Sequence, residues 1–83
     1  MIVVHLPSGL RAEFGSQLSV DRPVATIGAL VAALEDLRPG LSEHLHDSLY
    51  NFAVNDTLIL HGTDAHPLHD GDIVELIPTI AGG

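Results

Sequence analysis

Cysteine and lysine are both absent from this chain. Without a thiol it forms no disulfide and offers no thiolate nucleophile or metal ligand; without a lysine amine it presents no side-chain nitrogen for acylation. If a group is carried covalently, the terminal carboxyl becomes the leading candidate. Long hydrophobic runs are missing too, and no charged, hydrophobic leader opens the chain. That pattern predicts neither a membrane span nor a signal peptide and makes the cytoplasm the expected compartment. Bases are scarce: Arg11, Arg22 and Arg38 stand against eleven acids, for a formal charge of -8. Phosphate binding needs clustered Lys and Arg, so a nucleic-acid partner is not expected. The same charge suits attraction to a basic protein surface, or simply keeps a small domain soluble.

What is present fits one small globular domain. A chain of 83 residues has room for a single modest core and no second lobe to close over a substrate, which argues against a stand-alone enzyme. Its apolar fraction, 46%, is ordinary for a folded chain, and Pro and Gly are scattered, so disorder is not indicated. Ile2, Val4 and Leu6 alternate with Val3 and His5, the period of a half-buried strand. Pro7-Ser8-Gly9 breaks it, and the stretch from Leu10 to Gly15 reads as either an irregular turn or a short helical piece. A second strand is expected over Gln17 to Asp21, forming an antiparallel hairpin with the first.

Ile27, Leu30, Val31, Leu34 and Leu37 recur at three- and four-residue steps and predict an amphipathic helix. Thr26 is a candidate cap, although Pro23 at a first turn is also allowed. Glu35 and Asp36 fall where the helix dipole disfavours acids, Arg38 offsets this in part, and Pro39-Gly40 stops the helix. A helical turn over Leu41 to Leu45 would direct Ser42, Glu43 and His44 to water. Strands follow over Tyr50 to Val54 and Leu58 to Leu60, then a polar loop from His61 to His69. The turn Asp70-Gly71 leads into a last strand over Asp72 to Ile77.

This order predicts an α+β fold of β-grasp, ubiquitin-like type: one mixed sheet of four to five strands with the main helix packed on one face. The first and last strands should lie side by side and parallel. Val74 and Leu76 would face the helix, with Ile73, Glu75 and Ile77 on the opposite face. Residues 1–77 then form the domain and 78–83 an extended tail ending in Gly82-Gly83. A frayed terminus is the plain explanation of such a tail. The other is that glycines let a backbone end enter a narrow slot, because nothing beyond the backbone needs to fit.

Six histidines raise the question of a metal. His61, His66 and His69 share one loop and His44 and His46 are separated by one residue, yet no zinc spacing is present, and solvated imidazoles are the simpler account. No metal is expected. Asp70 and Asp72 are expected to cap a turn rather than act as an acid-base pair, and no catalytic residue is predicted.

The run Val54-Asn55, Pro67-Leu68, Asp70-Gly71-Asp72, Val74, Pro78, Ile80 and Ala81-Gly82-Gly83 resembles the C-terminal half of the ubiquitin-like sulfur-carrier proteins, among them the thiamine-pathway carrier and the small subunit of molybdopterin synthase. Leu6-Pro7-Ser8, Leu10-Arg11, Gly15 and Pro39-Gly40-Leu41 resemble the opening of bacterial carriers that serve cysteine synthesis. The resemblance implies no bound cofactor. A partner adenylating enzyme would use ATP to activate the C-terminal glycine, a sulfurtransferase or other sulfur donor would convert it to a thiocarboxylate, and an acceptor synthase would take the sulfur. Gly83 would bear the sulfur, and Gly82 and Ala81 would permit passage into a partner's channel. Ile77, Leu58 and Ile80 would dock, with Val3 or Ile73 as further contributors. Two alternatives stay open: a stable subunit of molybdopterin synthase, and a ubiquitin-like modifier of other proteins.

Overall fold

Alternation fixes the first strand, and everything else is laid beside it. In the computed structural model, which describes residues 1–46 and 50–79, Ile2 and Val4 of β1 (Ile2–His5) are buried while His5 is exposed. The chain then turns into α1 (Ser8–Phe14). Leu10 and Phe14, one helical turn apart, are the buried pair that makes this segment a regular helix. Gly15, at φ 90°, ends it by donating its N–H to the Arg11 carbonyl, while Arg11 Nε donates to the Leu6 carbonyl at 2.9 Å. The strand β2 (Gln17–Val20) pairs antiparallel with β1, as expected of a hairpin, with a helix in place of a simple turn.

Thr26 caps α2 (Ile27–Leu37), its Oγ1 accepting from the Ala29 N–H at 3.2 Å. Pro23 lies outside the helix. The loop expected to be merely polar completes the cap: Ile27 N–H donates to the His66 carbonyl and Gly28 N–H to the Asp64 carbonyl, both at 3.0 Å. A Cβ on Gly28 would sit 3.1 Å from that Asp64 oxygen, so glycine lets the loop come this close. Leu68 is buried beneath the same loop and donates its N–H to the Ala25 carbonyl. Ile27, Leu30 and Leu34 are fully buried, but Leu37 is 42% exposed and Ala33 is buried instead.

Glu35 corrects the expectation of an unfavourably placed acid. Its carboxylate accepts from the Gly40 N–H at 2.8 Å, the Ser42 N–H at 3.0 Å and the Ser42 hydroxyl at 2.7 Å. It therefore ties the end of α2 to the start of α3 (Leu41–His46), and Ser42 is turned inward to it rather than to water. The Gly40 N–H and the two Ser42 donors hold its carboxyl below the usual range. Leu41 is fully buried, and the His44 and Phe14 rings meet in a T-shaped contact with centroids 5.4 Å apart.

The sheet is completed by β3 (Tyr50–Val54), β4 (Thr57–Ile59) and β5 (Ile73–Pro78) in the order β2-β1-β5-β3-β4. β1 and β5 are parallel and the other pairs antiparallel. β4 stops at Ile59, leaving Leu60 outside it and 61% exposed. β5 is the central strand and runs one residue past the expected Ile77. Val4, Val74, Leu76 and Phe52 join the helix residues in one core cluster on a single face, which is the β-grasp arrangement. No helix among the described residues is long and apolar enough to cross a membrane.

Candidate functional site

The last strand is anchored firmly at its start. Asn55 and Asp56 take the left-handed conformation, at φ 48° and 70°, in the turn from β3 to β4. That turn aims the Asn55 amide at β5. Asn55 Nδ2 donates to Asp72 Oδ1 at 2.9 Å, the Ile73 N–H donates to Asn55 Oδ1 at 2.9 Å, and the Asn55 N–H donates to the Ile73 carbonyl at 2.8 Å. Asp72 Oδ2 accepts from the His69 N–H at 2.8 Å. Its carboxyl is held below the usual range by the His69 N–H first and by the Asn55 amide second. Asp72 is thus a turn-capping residue, and Asp70 pairs with the N-terminal amine. Neither arrangement resembles an acid-base pair.

From that anchor β5 is hydrogen-bonded on both sides. Val3, Val4 and His5 of β1 pair with Ile73, Val74 and Glu75, and the whole of β3 pairs with residues 74–78. The last pair is Tyr50 with Pro78. Proline has no N–H to give, so Pro78 cannot donate to the ladder. The predicted carrying and passage residues Gly83, Gly82 and Ala81, and the docking candidate Ile80, lie beyond this point and outside the described residues.

Opposite the helices, the sheet leaves one face open. Register places Gln17, His5, Glu75, Ala53 and Leu58 in one row across all five strands. Val3 and Ile73 pair in the neighbouring row, with Ile73 48% exposed. Ala53 is the smallest side chain of the row and is flanked by Leu58, 45% exposed, and Glu75. A depression of ≈ 430 Å³ lies over it, lined by Ala53, Asp56, Leu58, Glu75, Ile77 and Pro78, with Asn51 and Thr79 completing the lining. The structure therefore brings Ile77 and Leu58 together at the root of the tail, while Val3 and Ile73 share the face but line a different part of it. Ala53 and Glu75 were missed as site residues by sequence reasoning. The signal for them was parity alone: both belong to the alternate set that faces away from Phe52, Val74 and Leu76.

The histidines remain dispersed. No group of three or more metal-ligating side chains converges among the described residues, and the His46 side chain falls outside them. His44 Nε2 stands 4.0 Å from Glu13.

Residues 4–83 match the model of the ThiS family. The chain belongs to that family. This ThiS-family chain is 35% identical over 91 aligned positions to the sulfur carrier protein CysO of Mycobacterium tuberculosis, covering 99% of this chain and 98% of the relative. The crystal structure of that CysO superimposes with a TM-score of 0.85 at 30% identity, covering 96% of this chain and all of the other. In a BexX/CysO complex from Amycolatopsis orientalis, the matching chain shares the fold at a TM-score of 0.84 and 24% identity over 100% of both chains. A complex of subunits 1 and 2 of the molybdopterin-converting factor from Helicobacter pylori contains another match, with a TM-score of 0.66 and 26% identity over 99% of this chain and 97% of that one. The β-grasp fold and the kinship with sulfur carriers are therefore both established for this ThiS-family member, as is a fold that relatives use in complexes with other proteins.

Proposed function

We propose that the carboxyl of Gly83 is the reactive group and that the folded body exists to present it. This protein is a sulfur carrier. A terminal carboxylate, with a reference pKa near ~3.5, is ionised at neutral pH and is a poor electrophile, so it must first be activated. In the partner's active site the Gly83 carboxylate oxygen attacks the α-phosphorus of ATP and pyrophosphate leaves, giving an acyl-adenylate. Hydrosulfide from the sulfur donor then attacks the acyl carbon; a C–S bond forms, the bond to AMP breaks, and loss of a proton leaves the thiocarboxylate. An acceptor synthase takes that sulfur. The chain supplies no catalytic residue and no bound cofactor to these steps, because ATP belongs to the adenylating enzyme. It acts in the cytoplasm as a protein co-substrate.

The observation that carries this reading is the match to CysO over 99% of the chain, together with a central strand whose ladder meets a proline just before the tail. Gly82 and Ala81 are given passage through the partner's channel, and Ile77, Leu58 and Ile80 the docking. The relative's name favours cysteine synthesis over the other pathways that use such carriers. The Helicobacter complex supports a second reading, a stable subunit of a molybdopterin synthase, which co-purification with a larger subunit would reveal.

Incubation with the source organism's adenylating enzyme, ATP and sulfide should exchange one oxygen for sulfur, and the mass change should be confined to the C-terminal fragment. Deletion of Gly83, or Gly82→Val, should abolish the exchange while leaving the unfolding midpoint unchanged. Appearance of higher-mass protein adducts in place of a free thiocarboxylate would favour a modifier instead.

A further inference from the structure

The depression over Ala53 has a chemistry of its own. Its lining offers aliphatic surface from Leu58 and Ile77 above a floor at the buried Ala53, two carboxylates from Asp56 and Glu75, and no Lys or Arg. The chain's three arginines are engaged elsewhere: Arg22 with Asp36, Arg38 on the Leu37 carbonyl and Arg11 on the Leu6 carbonyl. Neither Asp56 nor Glu75 has an ion-pair partner among the described residues. A second copy of this chain is a poor occupant, since each copy carries a formal charge of -8 and the two would repel. An apolar side chain would fill the hollow but strand two carboxylates against it.

Resting on the carrier reading, we infer that this depression is a socket for a long basic side chain of the adenylating partner, its methylene stem lying between Leu58 and Ile77 above Ala53 and its charged head reaching Glu75 and Asp56. Arginine and lysine both combine an apolar stem with a cationic tip, which is the division of surface seen here. Because Pro78 and Thr79 line the same hollow, the contact would sit at the base of the tail and fix the direction in which Gly83 is delivered.

The test measures the initial rate of oxygen-for-sulfur exchange against carrier concentration, using the source organism's adenylating enzyme, ATP and sulfide. Three proteins are compared: the unaltered chain, a Glu75→Gln/Asp56→Asn double variant, and Ala53→Leu. The double variant removes the charges but keeps the shapes, and asparagine tolerates the left-handed backbone at position 56. Ala53→Leu fills the hollow without touching the charge. Both should raise the KM for the carrier about tenfold or more with kcat within about twofold, and the double variant should lose most of the salt dependence of KM. Matching unfolding midpoints confirm that the variants are folded. Sulfur uptake with unchanged KM in both variants would overturn the inference alone. A KM raised only by Ala53→Leu would mean an apolar occupant and would overturn it too. No sulfur on the unaltered protein would remove the carrier reading and this inference with it.

Discussion

At the start of β5 three hydrogen bonds with Asn55 and one from the His69 amide lock the backbone and the Asp72 side chain; at its far end the last pair among the described residues is Tyr50 with Pro78, which has no N–H to donate. The faces of the same strand differ as sharply. Leu76 is 2% exposed in the core, while its neighbour Ile77 is half-buried on the open face beside the hollow. A carrier needs both contrasts. On the function proposed above, the body would hold one direction rigidly and leave the surface beside the tail available to the partner.

The largest expected stability effect breaks the contrast between faces. Leu76→Ala should cost about 2–5 kcal/mol, through lost burial and a residual cavity under the helix. Ile77→Ala, one residue on, should cost below about 1 kcal/mol, because that side chain is partly in water already. Activation should show the opposite ranking: Ile77→Asp should slow sulfur loading severalfold with the protein still folded. Urea unfolding and the mass-shift assay, run on the same preparations, would show whether the two faces separate in this way. Equal losses in both assays from both positions would mean that the open face is merely more core.

The clasp is the next target. Asn55→Ala removes an amide that both donates to Asp72 and accepts from Ile73, and it leaves a left-handed residue without the side chain that favours it. A loss of about 1–3 kcal/mol is expected. Hydrogen exchange should localise the change: the Ile73 amide should lose protection more than amides near Ile77, since the clasp lies at the other end of the strand. Uniform loss along β5 would show that the strand opens as one unit and that its two ends are not independently held.

The parts legible in the sequence were those in which one residue's neighbours are fixed by period. Alternation gave β1 as a strand, the order of the elements, read as a β-grasp, gave its parallel pairing with β5, and the Ile27, Leu30, Leu34 stripe gave the helix. Leu37 continues that stripe, yet periodicity specifies an angle about the axis and says nothing of what lies beneath the last turn. Glu35 looked misplaced because the helix rule treats α2 alone, whereas its three donors come from Gly40 and Ser42, brought back by a glycine at φ 99°. The loop from His61 to His69 looked merely polar although Leu68 enters the core, and its part in capping α2 is made by the carbonyls of Asp64 and His66, which have no letter in the sequence. Ala53 was invisible for the opposite reason: a small side chain is informative only once its taller neighbours, Leu58 and Glu75, are known to flank it.

The smallest effect expected concerns acid. Asp72 and Glu35 both have carboxyls held below their ordinary range by N–H, amide or hydroxyl donors, the His69 N–H leading for Asp72 and the Gly40 N–H for Glu35. A carboxyl depressed in the folded state releases its proton more readily there than in the unfolded chain. Its contribution to stability is therefore complete above the unfolded value, near ~4, and is lost as pH falls through the lower folded value. Asp72→Asn tests this at the clasp. Asparagine keeps one acceptor but turns an NH2 toward a site built from donors, so the variant should be less stable than the parent at neutral pH. Between pH 7 and pH 3 its urea midpoint should then fall less than the parent's, because the group that titrates has been removed. Glu35→Gln should flatten the same profile at the α2–α3 junction, independently, since the two carboxylates share no donor. If both variants tracked the parent in parallel down to acid pH, repulsion among the positive charges left after protonation would govern the decline, and the clasp would hold as well with a neutral acceptor as with a charged one.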